Sequence, residues 1–312
     1  MGEEKGILFA FATALISGIS VFVSGSAVNS LDPFAFTFLK NAAAATFLGA
    51  ALLFMHQRKI FAGFGVRQLK WLLLIGIIGG GIPFLLFFQG LSMIPAIKGS
   101  FLYRLVFVFS AIFAMLILRE KPSRNAAIGA GIVLVGNAFL LGKSDAFAIG
   151  MGELLILAAT IIWAFEYVLS KWVMENKGIS PAVVGFGRLS FGLIAIAVYL
   201  TVAGKAPLVS TVFSLNFGLV AVGGAFLFLF VSTFYSALKH ARATTATAIL
   251  TLGGPITAFL NYTFLGKAPS ISDAFGLLLI TAGILAIVGI SQLGSSFSLL
   301  KSKILGGSEW KA

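Results

Sequence analysis

The chain has 312 residues, of which 59% are hydrophobic and only 10% are charged, and its formal net charge at pH 7 is +12. A soluble domain carries about 25% charged residues because its surface faces water, so this composition excludes a soluble protein and indicates a lipid bilayer as the solvent. The chain has no Cys and two His, His56 and His240, which excludes disulfides, Cys nucleophiles and a His-rich metal cluster. Since the basic residues form no continuous stripe, nucleic acid is not a predicted partner. No cofactor is predicted either.

Ten apolar stretches approach the length of about 20 residues that a helix needs to cross the hydrocarbon core. In chain order, the predicted helices are 6–24, 34–55, 71–90, 97–118, 125–142, 151–171, 182–203, 216–238, 243–265 and 274–291. Several connections between them are too short to hold a soluble domain. The predicted fold class is therefore an all-α membrane protein with ten transmembrane helices. Residues 292–312 are polar and rich in Ser and Lys, which predicts a disordered or interfacial tail.

Residues 1–27 have some features of a cleaved signal peptide, namely Lys5, an apolar run and a cluster of small residues. However, Glu3 and Glu4 stand where a signal peptide has a basic region. This segment also has a counterpart later in the chain. We therefore expect it to be retained as the first helix.

The distribution of basic residues predicts the orientation of the helices. Each loop takes the number of the helix that precedes it. The N-terminus, the even-numbered loops and the C-terminal tail together hold 15 basic residues, whereas the odd-numbered loops hold four. Cytoplasmic loops of membrane proteins carry an excess of Lys and Arg, so both termini are predicted to be cytoplasmic. The same charges favour contact with anionic lipid. The predicted location is the cell membrane, crossed many times.

An internal repeat divides the chain into two halves. Residues 87–142 align without gaps to 234–289, and 12 of the 56 pairs are identical, including Pro, Ser and Gly residues that set local structure. The predicted units are 1–148 and 149–291, followed by the tail 292–312. Because each unit has five helices, the second unit enters the membrane upside down. Inverted repeats are typical of alternating-access transporters, whose binding site lies near the bilayer midplane between the halves.

The two units and the end of each fourth helix resemble the drug/metabolite transporter superfamily, EamA type. The first half reads Leu118-Arg119-Glu120-Lys121-Pro122-Ser123, similar to the family's Leu-Gly-Glu and turn, and the second reads Leu265-Gly266-Lys267-Ala268-Pro269-Ser270. Lys267 departs from the acidic residue usual there. A Pro within each fourth helix is common in the family; Pro255 matches it, whereas the first half has Val108. The resemblance implies export of amino acids or related small metabolites.

Glu166 is predicted to be the one acidic residue deep within a span. An ionised group at that depth costs at least a few kcal/mol and therefore faces a partner or a water-filled cavity. The alternatives are a structural ion pair with Arg104 or Arg188, a contact with a substrate amine, and a proton-coupling carboxylate. Arg104 has no basic counterpart in the second half, where Thr251 stands, so we expect a substrate or gating role. Its guanidinium suits carboxylate or phosphate.

Lys40 and Arg188 are related by the repeat, and each lies about two turns from its helix start. Two interpretations remain open. Both side chains extend to opposite interfaces, or one basic residue gates each face. The other predicted substrate-binding residues are polar or amphipathic: Trp163 and Tyr167, which share a helix face with Glu166, and Gln89, Tyr103, Tyr235 and Asn261. Packing between helices is the alternative for each. Gly253-Gly254-Pro255 is predicted to bend the ninth helix.

The predicted function is that of a secondary transporter that moves a small organic metabolite by alternating access. No nucleotide-binding loop is present, so a proton or substrate gradient would supply the energy. Protons and membrane lipid are the other expected partners, with the chain acting as a monomer or a homodimer. A channel or a lipid flippase of the same fold is the alternative. An enzyme is disfavoured because no set of residues within the spans could carry out catalysis.

Overall fold

The computed structural model describes residues 2–25, 31–54, 65–94, 96–140, 149–266 and 268–289. Nine helices in this part of the chain are long and apolar enough to cross a membrane, and Arg124–Leu140 is a tenth, shorter helix. We number them in chain order: α1 Gly2–Gly25, α2 Pro33–Phe54, α3 Val66–Leu91, α4 Lys98–Leu118, α5 Arg124–Leu140, α6 Met151–Asn176, α7 Pro181–Val202, α8 Ala206–His240, α9 Ala243–Leu265 and α10 Ile271–Val288. No strand occurs among these residues.

The all-α fold class is thus confirmed, and nearly all helix ends lie within a few residues of their predicted positions. The largest difference is α8, which begins at Ala206 instead of 216 and is 35 residues long. Its backbone is non-helical at Asn216, with φ −134° and ψ 30°. The added segment packs Val209 and Val212 against the start of α2, an interaction that hydropathy along the chain does not reveal. The predicted tail 292–312 lies outside the described residues.

The contact between α5 and α10 shows how the two halves meet. A Cβ at Gly129 would meet the carbonyl of Gly283, and a Cβ at Gly136 would meet the carbonyl of Gly276. These two pairs run in opposite directions along the helices, and the 147-residue repeat exchanges one pair for the other. The helices therefore cross antiparallel about a pseudo-two-fold axis, as an inverted repeat requires. Only glycines allow the backbones to approach this closely.

The fourth helix of each half is broken at the same place. In α4 the regular helix ends at Arg104 and resumes at Val106, and in α9 it ends at Leu250 and resumes at Gly253. Val108 N donates to Leu105 O at 2.9 Å in α4, but the equivalent residue Pro255 has no N–H to donate. The helix is interrupted directly before the predicted Gly253-Gly254-Pro255, and α4 is interrupted at the equivalent place without proline.

The middle of α3 is a π-helical segment, Gly76–Gly81, which brings α3 against α6 and α7. A Cβ at Gly80 would collide with the backbone carbonyl of Arg188, and one at Gly79 would meet the Glu166 carboxylate at 2.7–2.9 Å. The wider turn also leaves the Gly79 carbonyl available to the indole Nε1 of Trp163, which donates to it at 2.9 Å. The glycine run thus positions the two helices that carry Glu166 and Arg188.

Candidate functional site

A cavity of about 380 Å³ lies between the helices, and its volume is within the range of small-molecule sites. We call it the aromatic cavity. It is lined by Ser17, Ser20, Val21, Lys40, Phe84, Phe87, Phe88, Leu91, Ser100, Tyr103, Trp163, Tyr167, Arg188, Phe226, Leu227 and Phe230. Both halves of the chain contribute to this lining. It extends to Leu91, the last residue of α3, at the face opposite the described chain ends.

Trp163 stands at the centre of the aromatic wall. The rings of Phe84, Phe87 and Tyr103 lie with their centroids 5.1, 5.6 and 5.4 Å from the Trp163 ring. Two of these contacts are edge-to-face, the geometry that aromatic pairs prefer. Since the indole N–H is held by Gly79, Trp163 is fixed in orientation and offers its ring to a bound organic group.

Glu166 lies behind this wall and does not line the cavity. It is fully buried. Its Oε1 accepts hydrogen bonds from Ser170 Oγ at 2.5 Å and Tyr235 OH at 2.6 Å. Its Oε2 is 3.7 Å from Arg188 Nε, and neither of these two atoms has a hydrogen-bond partner among the described residues. Of the predicted alternatives for Glu166, the structure contains the ion pair with Arg188. Arg104 instead donates a hydrogen bond to the side chain of Asn137.

Arg188 and Lys40 line the same cavity, although the sequence placed them toward opposite faces. Arg188 is buried and lies over the Phe84 ring, and Lys40 lies over the Phe36 ring at 5.8 Å. Each is about 10 Å along its helix from the start, at 1.5 Å per residue. Long basic side chains at that depth reach a shared interior space instead of separate interfaces.

A second cavity, of about 320 Å³, adjoins the first; we call it the Arg104 cavity. It is lined by Ser17, Val21, Ser100, Tyr103, Arg104, Val106, Leu250, Thr251, Gly253, Gly254, Thr257, Ala258 and Asn261. Four of these residues, Ser17, Val21, Ser100 and Tyr103, also line the aromatic cavity and form the wall that the two share. The breaks in α4 and α9 both open onto this space.

Arg104 reaches from the break of α4 to the break of α9. Its Nη1 donates to Asn137 Oδ1 at 3.1 Å, and the guanidinium lies so close to Gly254 that a Cβ there would collide with it. Asn137 is itself held by a bond from Nδ2 to Val133 O at 2.8 Å. No carboxylate among the described residues pairs with Arg104, which leaves its charge directed toward the cavity.

The structure brings together most of the residues that the sequence singled out. Tyr103, Trp163, Tyr167, Lys40 and Arg188 line the aromatic cavity, and Tyr103, Arg104 and Asn261 line the Arg104 cavity. Tyr235 lies behind them, against Glu166. Gln89 is exposed and lines neither cavity, so it does not belong to this site.

Sequence reasoning missed Asn137, the small hydroxyl residues and the phenylalanines of the walls. Ser17, Ser20, Ser100 and Thr257 line the cavities. Hydroxyl residues are common in membrane helices, so nothing in the sequence distinguished these four. The phenylalanines were hidden among the 32 of the chain. Asn137 is buried and amide-bearing, and its polarity within a span was a signal that could have found it.

Polar contacts join the helices at the face that carries the described chain ends. The Glu120 carboxylate accepts hydrogen bonds from Ala243 N at 2.9 Å and from Thr244 Oγ1 at 3.1 Å, at the start of α9. Lys171 Nζ donates to Leu238 O and Ala241 O at 2.9 and 2.7 Å. These bonds join the end of α4 and α6 to the α8–α9 turn.

Curated relatives of the chain are described as uncharacterized transporters. One, from Methanothermobacter thermautotrophicus, is 23% identical over 68% of this chain and 62% of its own length. A second, from Haemophilus influenzae, is 29% identical over 55% of this chain and 57% of its own length. The chain thus spans about 60% of these two relatives. A third, from Clostridium kluyveri, is 24% identical over 90% of this chain and 92% of its own length.

One solved crystal structure matches with a TM-score of 0.69 at 19% identity, over 91% of this chain and 96% of that chain. At this identity the match concerns the fold alone. The EamA-like transporter family matches the chain twice, over residues 4–142 and 150–289. These two matches correspond to the two halves that meet at α5 and α10. The protein is therefore a multi-pass membrane protein that belongs to the EamA-like transporter family.

Proposed function

We propose that the protein is a secondary transporter that exports an amino acid or a related small organic metabolite by alternating access. It acts in the cell membrane with both termini in the cytoplasm. The observation that carries this proposal is the pair of adjoining cavities between the inverted halves. They extend toward one face, while hydrogen bonds from Glu120 and Lys171 close the other.

The internal repeat supports alternating access because equivalent residues have unequal environments. Ser100 in α4 is exposed and lines both cavities. Thr247, its equivalent in α9, is 0% exposed. Two halves with one backbone design can exchange these environments, which opens the closed face and closes the open one. The breaks in α4 and α9 supply the bends for that exchange.

Glu166 is proposed to couple transport to protons. Among the residues that the structure describes, only Arg188, 3.7 Å away, balances the charge of its Oε2, and Arg188 also lines the cavity. An anionic group bound to Arg188 would weaken the pair with Glu166. A buried carboxylate that loses its counter-charge is more stable with a proton. Binding of an anion and uptake of a proton are therefore linked.

Single cysteines at the repeat-related positions test alternating access directly, since the chain has no Cys. Ser100→Cys is expected to react with a membrane-impermeant maleimide from outside intact cells, and Thr247→Cys to be protected. Transport substrate should change the two reactivities in opposite directions, and Thr247→Cys should be labelled only from the cytoplasmic side.

Other outcomes would contradict the proposal. Labelling of both positions from one side at once, with flux that does not saturate, would indicate a channel. Movement of labelled phospholipid between leaflets of liposomes, without uptake of soluble solutes, would indicate a lipid flippase.

A further inference from the structure

Within the described part of the chain, the positive charges that face the two cavities are not fully balanced by acidic residues. Three basic side chains line them, Lys40, Arg104 and Arg188, and no Asp or Glu is among the lining residues. Glu166 compensates Arg188 from behind. Lys40 and Arg104 form no ion pair within the described ranges. Ionisable groups inside a membrane are normally paired or hydrated, so these two positive charges favour the binding of a negatively charged group.

The two unpaired cations stand in different cavities. Lys40 lies in the aromatic cavity beside Arg188, whereas Arg104 lies in the Arg104 cavity beside the N-terminal end of the second segment of α9, Gly253–Leu265. Asn137 Oδ1 accepts a hydrogen bond from one of the five N–H groups of the Arg104 guanidinium, and the other N–H groups remain available to bind a carboxylate.

The same arrangement disfavours a substrate amine. A zwitterionic or cationic solute needs an acidic or carbonyl-rich surface for its ammonium group. Glu166 is fully buried, holds two hydroxyl donors and faces Arg188 instead of the cavity. An ammonium in the aromatic cavity would meet Lys40 and Arg188, and one in the Arg104 cavity would meet Arg104, and neither lining supplies a carboxylate.

We propose that the transported solute is a soluble organic acid with two anionic groups. One group binds Lys40 and Arg188 in the aromatic cavity, and the other binds Arg104, with the carbon skeleton lying along Tyr103 and Trp163. The shared wall of Ser17, Val21, Ser100 and Tyr103 is where a single molecule would span the two spaces. This inference rests on the proposed transporter function of the same site, and among the small organic metabolites proposed there it selects organic acids over amino acids.

Matched acids and amides test the inference on the full chain purified in a nonionic detergent. Succinate, adipate and terephthalate are compared with their half-amides and diamides, by thermal shift and by titration calorimetry. At least one diacid should raise Tm and bind about tenfold more tightly than its half-amide, since each amide removes one charge-assisted contact. The diamides should give no shift.

Variants assign the second group to Arg104. Arg104→Gln should bind the diacid and its half-amide equally, which removes the tenfold discrimination. Arg104→Lys keeps the positive charge and should retain part of the discrimination between diacid and half-amide. This variant therefore separates the effect of losing the charge from the effect of losing the fold. Lys121→Gln removes one positive charge from an exposed side chain outside both cavities and is the matched control. It should leave discrimination unchanged.

Several results would overturn the inference. Equal binding of diacid and half-amide by the unaltered protein, discrimination that survives Arg104→Gln, or no binding of any diacid would each do so. A Tm shift produced only by short-chain phosphatidate would assign the anion site to lipid instead of a soluble acid. If a neutral or cationic solute is transported with the expected exchange of cysteine reactivity, the proposed transporter function stands and the two-anion inference falls.

Discussion

The two halves of the molecule share one backbone design and differ in the chemistry placed on it. α4 and α9 break at equivalent positions, although only α9 has a proline there. The turn that follows each is also equivalent, with Arg119 at φ 55° and Gly266 at φ 63°. Ser123 and Ser270 then accept hydrogen bonds from the equivalent amides of Ala126 and Asp273, both at 3.1 Å.

The functional groups, in contrast, are not duplicated. Arg104 is replaced by Thr251 in the second half, and the α1 positions equivalent to Glu166 are apolar or glycine. Glu120 closes one face through the start of α9, and its counterpart Lys267, which lies outside the described residues, has the opposite charge. The comparison teaches that the repeat duplicates the backbone design, whereas Arg104, Glu120 and Glu166 each occur in only one half.

The largest expected effect concerns Glu166, which only the second half contains. Glu166→Gln keeps both hydroxyl partners within reach but removes the ionisable group that faces Arg188. Uptake driven by a pH gradient in liposomes should fall at least about tenfold, while exchange of labelled for unlabelled solute continues. An unchanged response to the pH gradient would remove the coupling role from Glu166.

The next prediction concerns the contact at which the halves are alike. Gly129→Ala would place a Cβ 2.5 Å from the Gly283 carbonyl, and Gly283→Ala would place one 2.7 Å from the Gly129 carbonyl. Since backbone atoms cannot move aside easily, each change should destabilise the protein by about 1–3 kcal/mol. Thermal unfolding in detergent measures both.

Gly131→Ala is the matched control in the same helix, because nothing lies within 4 Å of its Cβ. It should be neutral or stabilise the protein by up to about 1 kcal/mol, the difference in helix propensity. The repeat relates Gly283 to Gly136, whose Cβ would lie 2.8 Å from the Gly276 carbonyl. Clearly unequal effects of Gly136→Ala and Gly283→Ala would contradict the pseudo-two-fold contact.

A smaller effect is expected where the halves differ in charge, at Glu120. Glu120→Ala removes the acceptor for Ala243 N and Thr244 Oγ1. A hydrogen bond to a charged group contributes about 1.5 kcal/mol, so labelling of Thr247→Cys should rise about tenfold as the closed face opens. Glu175→Ala is the control: its pair with Lys171 is at the same face, but 42% of the Glu175 side chain is exposed, so little change is expected. Equal labelling in the two variants would contradict the gate.

The smallest effect compares the two turns. Gly266→Ala places a Cβ on a residue with φ 63° and should cost about 1 kcal/mol. Arg119→Gly relieves the same conformation at an exposed residue and should stabilise the protein by a similar or smaller amount. Opposite signs in the thermal unfolding of the two variants would sharpen the comparison, and equal signs would show that the turns are not equivalent.

Much of the fold could be predicted because the length of each apolar stretch can be read directly from the sequence. The start of α2 at Pro33 and of α7 at Pro181, and the bend at Pro255, were all visible in the sequence. The break in α4 was not, since neither proline nor a glycine pair marks Leu105. That bend depends on packing against neighbouring helices, as does the extension of α8 before Asn216.

The sequence by itself determined the number of spans, their inverted duplication and the short list of charged residues that a bilayer makes costly. It left open which partner Glu166 has and whether Lys40 and Arg188 meet. The physical reason is that lipid and protein interior are both apolar, so the sequence does not show which side of a membrane helix faces inward. Only the tertiary structure fixed those rotations, which placed Glu166 against Arg188 and turned Lys40, Arg104 and Arg188 toward two adjoining cavities.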